Sequence, residues 1–373
     1  MKIERITLRH IRLPYVTPFQ TSRWIELDRE CVIVEVQAGG LTGWGECGAN
    51  QHCAYSYETT GTNWHLLADF IAPLLVGQTI PDIAAYRAAV GHLTGHPMAK
   101  AGLEMALWDL LAQEVDRPLQ ALVGGQSDRV KVGVSVGIQP TTDRLLAVVD
   151  GYLAEGYRRI KLKVKPGRDL ADVAAVRAAH PDLLLQVDGN SVYTLDDARH
   201  LKGFDDFGLL LIEQPLANDD IIDHARLQPQ LHTPICLDES ILSVRHVRWA
   251  LDLGACRVIN IKPARVGGLA EAIAIETYCR ERGVPVWMGG MLESGIGRAA
   301  NVALATRPGF TLPGDISASA RYYAEDIVEP PFVLNRADST LSVPTAPGLG
   351  VTVCRDRLER VTLRTAVFED HGA

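Results

Sequence analysis

Apolar and polar positions alternate through IERITLRHIRL at residues 3–13, and an apolar-rich run CVIVEV at 31–36 is followed by the Gly39-Gly40 pair and LTGWGEC. Extended patterning on both sides of a glycine turn predicts an antiparallel sheet over residues 1 to about 47. The period then lengthens toward that of a helix in NWHLLADFIAPLL, in IPDIAAYRAAVGHL and in PMAKAGLEMALWDLLAQEV. In the last of these Pro97 stands in the first turn, where its missing N–H costs nothing. This α+β unit is expected to end near Gly124-Gly125, giving a first domain over residues 1–125.

From about residue 130 the pattern changes to short apolar runs separated by helical stretches: VKVGVSVG, RIKLKV, LLLQVDGN, LLLIEQP, PICLDES, VINIKP, VPVWMGG and FTLPGDIS. Nearly continuous apolar strands alternating with helices mark a parallel sheet covered on both faces, and eight of them predict a (β/α)₈-type barrel. Lys163, Asp188, Glu213, Asp238 and Lys262 follow one another at intervals of 25, 25, 25 and 24 residues, each at or just after a strand end. The intervening sequences do not resemble one another as solenoid repeats do, so the barrel is the better reading. Its active sites sit at the C-terminal ends of the strands. The barrel is expected to span 126–319, with residues 320–373 returning to turns and strand-like runs that pack on the first domain.

Composition changes little in this picture. With 47% hydrophobic and 22% charged residues the chain is ordinary for a globular protein, and a net charge of −8 provides no basic face for nucleic acid. Seven cysteines without CxxC spacing are expected to be reduced, buried thiols. No apolar run approaches 18 residues and the N-terminus lacks a signal-like apolar segment, so a cytoplasmic protein with no membrane partner is expected.

Three carboxylates, Asp188, Glu213 and Asp238, projecting from successive strand ends would repel one another unless protonated or bound to a cation. Oxygen donors without Cys or His suit Mg²⁺ rather than zinc. Any one such acid is more often a helix cap or a lysine partner, but three in register are not. Asn190, Gln214 and Glu239 lie close enough in sequence to orient the ligands. Lys161 and Lys163, two apart on one strand, share a face, with Lys262 expected opposite them. A basic run is usually a solvated rim, yet here Ile160, Leu162 and Val164 embed the lysines in a buried strand. A lysine beside a cation and other ammonium groups is expected to have a lowered pKa suited to a general base. Together these groups describe removal of a proton next to a carboxylate.

The motifs KxK at Lys161/Lys163, DGN at Asp188, EQP at Glu213, DES at Asp238 and KPARVGG from Lys262 resemble those of the enolase superfamily, muconate-lactonizing-enzyme subgroup. HPMAKAGLEMALWD, GGMLESGIGRAANVALA and LPGDISAS are similar within it to the o-succinylbenzoate synthase and N-succinylamino acid racemase group. The resemblance implies a (β/α)₇β barrel under an α+β capping domain, Mg²⁺ or Mn²⁺ on the three carboxylates, a small-molecule carboxylate substrate and a homo-oligomer. It implies that Lys163 takes the α-proton and returns it to the departing hydroxyl in a syn dehydration that yields o-succinylbenzoate for menaquinone biosynthesis. Lys262 would stabilise the enediolate, or act as the opposite-face base in racemisation, tuned by Arg265. Phe19, Trp24, Ser135, Gly290, Met291 and Leu292 are the expected substrate contacts. Behind these readings stand muconate-type cycloisomerisation and a barrel that has lost catalysis.

Two features depart from the group. The segment PFQTSRWIELDRE replaces a glycine-containing TSFGT-like stretch, placing Arg23, Trp24 and Glu26 where substrate fit is decided. Asp315 is followed by Ile316 and Ser317, not by the second aspartate of the dipeptide epimerases. The GxGxxA run at Gly295 lies too late for a dinucleotide fingerprint. It is expected instead to open a helix whose N–H groups hold the succinyl carboxylate. None of the eleven histidines joins the periodic set, and each is expected to be structural or solvated.

Overall fold

The alternation at the N-terminus becomes a four-stranded antiparallel sheet in the computed structural model, which describes residues 1–370. Strand β1 (Arg5–Gln20) pairs with β2 (Ile25–Ala38), which pairs with β3 (Leu41–Glu46); the C-terminal strand Thr362–Glu369 joins the other edge of β1. Helices α1 (Thr60–Leu66), α2 (Ile83–Ala89) and α3 (Pro97–Glu114) cover one face. Ile6, Leu8, Val34 and Val36 pack there with Leu103, Ala106 and Leu110 of α3. The approach is close: a Cβ on Gly45 would lie 1.9 Å from the Gly102 carbonyl oxygen, so only glycine fits. The segment PFQTSRWIELDRE is mostly strand, and only residues 21–24 form the turn between β1 and β2.

Seven parallel strands follow in sequence order: β4 (Val134–Val136), β5 (Arg159–Lys163), β6 (Leu184–Asp188), β7 (Ile212–Glu213), β8 (Ile235–Leu237), β9 (Val258–Ile261) and β10 (Val286–Met288). Helices α4 (Thr142–Glu155), α5 (Asp169–Ala179), α6 (Ile222–Leu227), α7 (Val244–Asp252), α8 (Leu269–Arg280) and α9 (Gly295–Leu304) lie in the connections. The expected eighth strand, FTLPGDIS, does not form. Its residues instead close the sheet through two isolated bridges, Phe310 to Val286 and Gly314 to Val132, because Pro313 has no N–H to give to a ladder.

Two buried glutamates of the first unit reach into the barrel. Glu46, at the end of β3, accepts from Ser294 N at 3.0 Å, Ser294 Oγ at 2.7 Å and Gly297 N at 3.2 Å at the start of α9. Glu104, on α3, accepts from Ala270 N at 2.9 Å in the first turn of α8. Both carboxylates sit where unsatisfied helix N–H groups favour negative charge.

Asp109 on α3 binds Trp44 N at 2.9 Å and Leu349 N at 2.8 Å. Burial outweighs these bonds and pushes its carboxyl up to about 6 from 3.8. Between those values the folded chain holds a proton that the unfolded chain has released, so this group's contribution to stability is lost as pH rises from about 4 to about 6. The free energy of unfolding of the native chain relative to Asp109→Asn should therefore fall by about 3 kcal/mol across that window. Urea titrations of both proteins at several pH values check it; a difference that stays flat with pH would show that the carboxyl is not shifted.

Candidate active site

Alternation along β5 sends Arg159, Lys161 and Lys163 into the barrel interior while Ile160 and Leu162 pack outward with the surrounding helices. The three cations form a ladder. Arg159, fully buried, pairs with Asp315 Oδ1 at 2.8 Å, and a Cβ on Gly133 would lie 2.3 Å from its Nε. Above it Lys161 Nζ contacts Asp315 Oδ2 at 2.6 Å, Glu213 Oε2 at 2.8 Å and Asp188 Oδ2 at 3.2 Å, with the Trp287 ring 5.0 Å away. At the top Lys163 Nζ bonds Asp188 Oδ2 at 2.7 Å and Asn190 Oδ1 at 2.8 Å.

Lys262 comes from the end of β9, directly beside the strand of Asp238, and bonds Asp238 Oδ2 at 2.7 Å. The other oxygen of Asp238 accepts from the Arg265 guanidinium and from Tyr55 Oη, the latter at 2.9 Å. Tyr55 also lies 3.1 Å by its hydroxyl from Lys262 Nζ and 4.4 Å by its ring centroid. No signal in the sequence pointed to Tyr55, which comes from an irregular segment after β3.

Asn190 links the two sides, accepting from Lys163 and donating to Glu239 Oε1 at 3.2 Å. Gln214 acts differently from a ligand-orienting group at the pocket: its Oε1 accepts from Asp238 N at 2.9 Å and its Nε2 donates to Ser240 Oγ at 2.7 Å, fixing the turn after β8. Asn190, Ser191 and Gln214 have φ of 45°, 62° and 34°, so the chain leaves two acidic strand ends in the left-handed region. Such backbone is held only by surrounding contacts and concentrates at functional sites.

Charges in this cluster offset one another. Burial alone would raise the Asp188 carboxyl, but the Lys163 and Lys161 ammoniums outweigh it and hold it well below the usual range. Glu213 is raised by burial and by the charge of Asp188, and Glu239, for the same two causes, is pushed up to about 7. The lowered lysine pKa expected beside a cation is not a property of the protein alone. Burial disfavours the ammonium of Lys262, but Tyr55, Glu213 and Glu239 together raise it above its ordinary value; Asp315, Glu213 and Asp188 do the same for Lys161.

Among the described residues no three acidic, imidazole or thiol groups are placed to share an ion, because lysine and arginine nitrogens stand between the carboxylates. The donor chemistry nevertheless fits a hard divalent cation. Asp188, Glu213 and Asp238 offer oxygen only, and two buried acceptors beside them, Glu239 Oε2 and Asn260 Oδ1, lack any hydrogen-bond partner.

Lys161, Lys163 and Lys262 line an open pocket between the two units, and Asp188, Glu213 and Asp238, bonded to those lysines, are not part of its wall. All six expected substrate contacts, Phe19, Trp24, Ser135, Gly290, Met291 and Leu292, reach its wall. Asp315 lines it too, held by Ser135 Oγ at 2.7 Å. Arg23 bridges from the 21–24 turn to Ser191 O at 2.6 Å, and Trp24 lies tilted against His52 with centroids 4.3 Å apart. The N–H groups at the start of α9 are already taken: Gly297 N donates to Glu46, and Gly295 N donates to Asp326 at 2.8 Å. A carboxylate of the chain thus fills the place expected for the succinyl group.

This geometry has counterparts among known proteins. Residues 4–124 match the mandelate racemase / muconate lactonizing enzyme N-terminal domain and residues 144–357 the enolase C-terminal domain-like family. The chain belongs to the enolase superfamily. Enzymes of this superfamily use a divalent metal. The superfamily member solved from Listeria innocua superposes with a TM-score of 0.95 at 42% identity, covering 99% of each chain. An o-succinylbenzoate synthase of Geobacillus kaustophilus is 49% identical over 99% of this chain and 98% of its own. An N-succinylamino acid racemase of Thermus thermophilus is 46% identical over 97% and 98%. Among the described residues no helix is long and apolar enough to cross a membrane.

Proposed function

We propose that this enolase-superfamily enzyme is an Mg²⁺-dependent o-succinylbenzoate synthase whose site also racemises N-succinylamino acids. The supporting observation is the placement of Lys163 and Lys262 at opposite ends of the arc of strands that carries Asp188, Glu213 and Asp238. When bound, Mg²⁺ would be held by Asp188, Glu213 and Asp238 and would neutralise the substrate carboxylate.

In the dehydration Lys163 takes the proton α to the carboxylate of the hydroxycyclohexadiene acid, giving an enediolate. The C–O bond then breaks, the electron pair leaves with the hydroxyl, and Lys163 returns its proton there, so that water departs from the face of attack. Lys262, kept charged by its acidic neighbours, donates to the enediolate oxygen. With an N-succinylamino acid no leaving group is present, and a proton delivered from Lys262 on the other face inverts the centre. Arg265 and Lys262 share Asp238 and Tyr55, so the guanidinium lies where it biases this second lysine. Asp315, tied to Arg159, Lys161 and Ser135, is not free to hold a substrate ammonium, which argues against dipeptide epimerisation.

In D₂O the enzyme is expected to form o-succinylbenzoate and to place deuterium at the α-carbon of both enantiomers of an N-succinylamino acid. Lys262→Ala should stop racemisation while exchange continues for one enantiomer, read by proton NMR. Dehydration without any exchange would leave the synthase reading and remove the racemase one.

A further inference from the structure

The cap side of the cavity carries a buried carboxyl with no cation beside it. Glu26, in β2, is only 8% exposed and lines the cavity wall. Its Oε1 accepts from Asn50 Nδ2 at 2.8 Å, and its Oε2 has one long contact, 3.4 Å from the Tyr15 hydroxyl. Among the described residues no Lys, Arg or His nitrogen pairs with it within 4.0 Å. The neighbouring cations are committed elsewhere. Arg29 spends its terminal nitrogens on the carbonyls of Ala49 and Cys47, on Asn50 Oδ1 and on Glu46. Lys163 belongs to Asp188 and Asn190. Arg23 reaches the carbonyl of Ser191 from an exposed turn, where water screens its charge.

A carboxylate buried without a partner is costly, and this one satisfies no helix end. Burial holds it above its ordinary pKa even with the fields of Arg29 and Lys163 acting the other way. Glu239, the other lining acid without an ion pair, differs because it stands on the floor among the lysines. A substrate whose α-carbon lies over Lys163 and Lys262 directs its substituents toward the cap, where Glu26 stands.

We infer that Glu26 recognises a cationic end group, so that the N-acylated amino acids favoured by this site carry a basic side chain of the lysine or arginine kind. The inference rests on the racemase half of the function proposed above. An ammonium on a four-carbon stem would give Glu26 the partner it lacks, and an apolar chain of equal length would leave the carboxyl buried and unpaired.

N-succinyl-L-lysine and its uncharged counterpart N-succinyl-L-norleucine separate the possibilities in α-proton exchange. The native enzyme should favour the lysine derivative in kcat/KM by about tenfold or more, and Glu26→Gln should bring the ratio to about one, chiefly through KM. Equal use of the two by the native enzyme overturns the inference without any variant, as does a ratio that survives Glu26→Gln; the racemase reading stands in both cases. If dehydration proceeds and neither derivative exchanges, the racemase reading falls and the inference with it.

Discussion

Lys163→Ala is expected to lower kcat for dehydration by about 10³-fold and to stop α-proton exchange on the face Lys163 serves, while the protein stays folded. The side chain crowns the β5 ladder and touches only Asp188 and Asn190, so its removal leaves the Arg159–Asp315 and Lys161–Glu213 pairs below it in place. No other amine stands at that position: Lys161 is held lower by three carboxylates, and Lys262 comes from the far end of the arc. Losing the base should act on kcat more than on KM, since the wall residues that contact substrate are untouched. A small primary amine added to the variant should restore part of the rate by filling the space left. Residual activity within tenfold of native would assign the proton to another group.

Exhaustive chelation should reduce both activities to background, and Mg²⁺ or Mn²⁺ should restore them. The protein itself should survive the treatment, because each of the three proposed ligands already has a lysine or arginine partner. Circular dichroism would therefore be unchanged, and the midpoint of thermal unfolding would move by no more than the ordinary gain from ligand binding. Full activity after chelation, confirmed by elemental analysis, would sink the metal assignment; unfolding on chelation would show that the ion holds the barrel together.

Much of this was legible in the chain because a barrel repeats its chemistry with its strands. The interval near 25 residues alone sets Lys163, Asp188, Glu213, Asp238 and Lys262 at one end of the barrel. Alternation placed Lys161 beside Lys163, and the same rule applied one step further places Arg159 beneath them. The cap was less legible. Tyr55 and Asn50 reach the cavity from an irregular segment, where no period marks an inward position. The FTLPGDIS run was apolar enough for a strand, but proline limits it to two bridges. The reading of the α9 N-terminus failed because its occupant, Glu46, lies 248 residues away from Ser294, and nothing local announces it.

That long-range carboxylate, with Glu104 at α8, fixes how traffic through the cavity is arranged. Lifting the cap as a rigid body would pull two buried acids off helix ends and leave their N–H partners bare, a cost that repeated turnover does not bear. The 21–24 turn is held differently, by Ser22 Oγ to Val164 O at 2.7 Å and Arg23 to Ser191 O at 2.6 Å with Trp24 tilted against His52, contacts whose loss would uncover no buried carboxylate. Substitutions in that turn are therefore expected to alter product release while leaving the proton-transfer steps as they are.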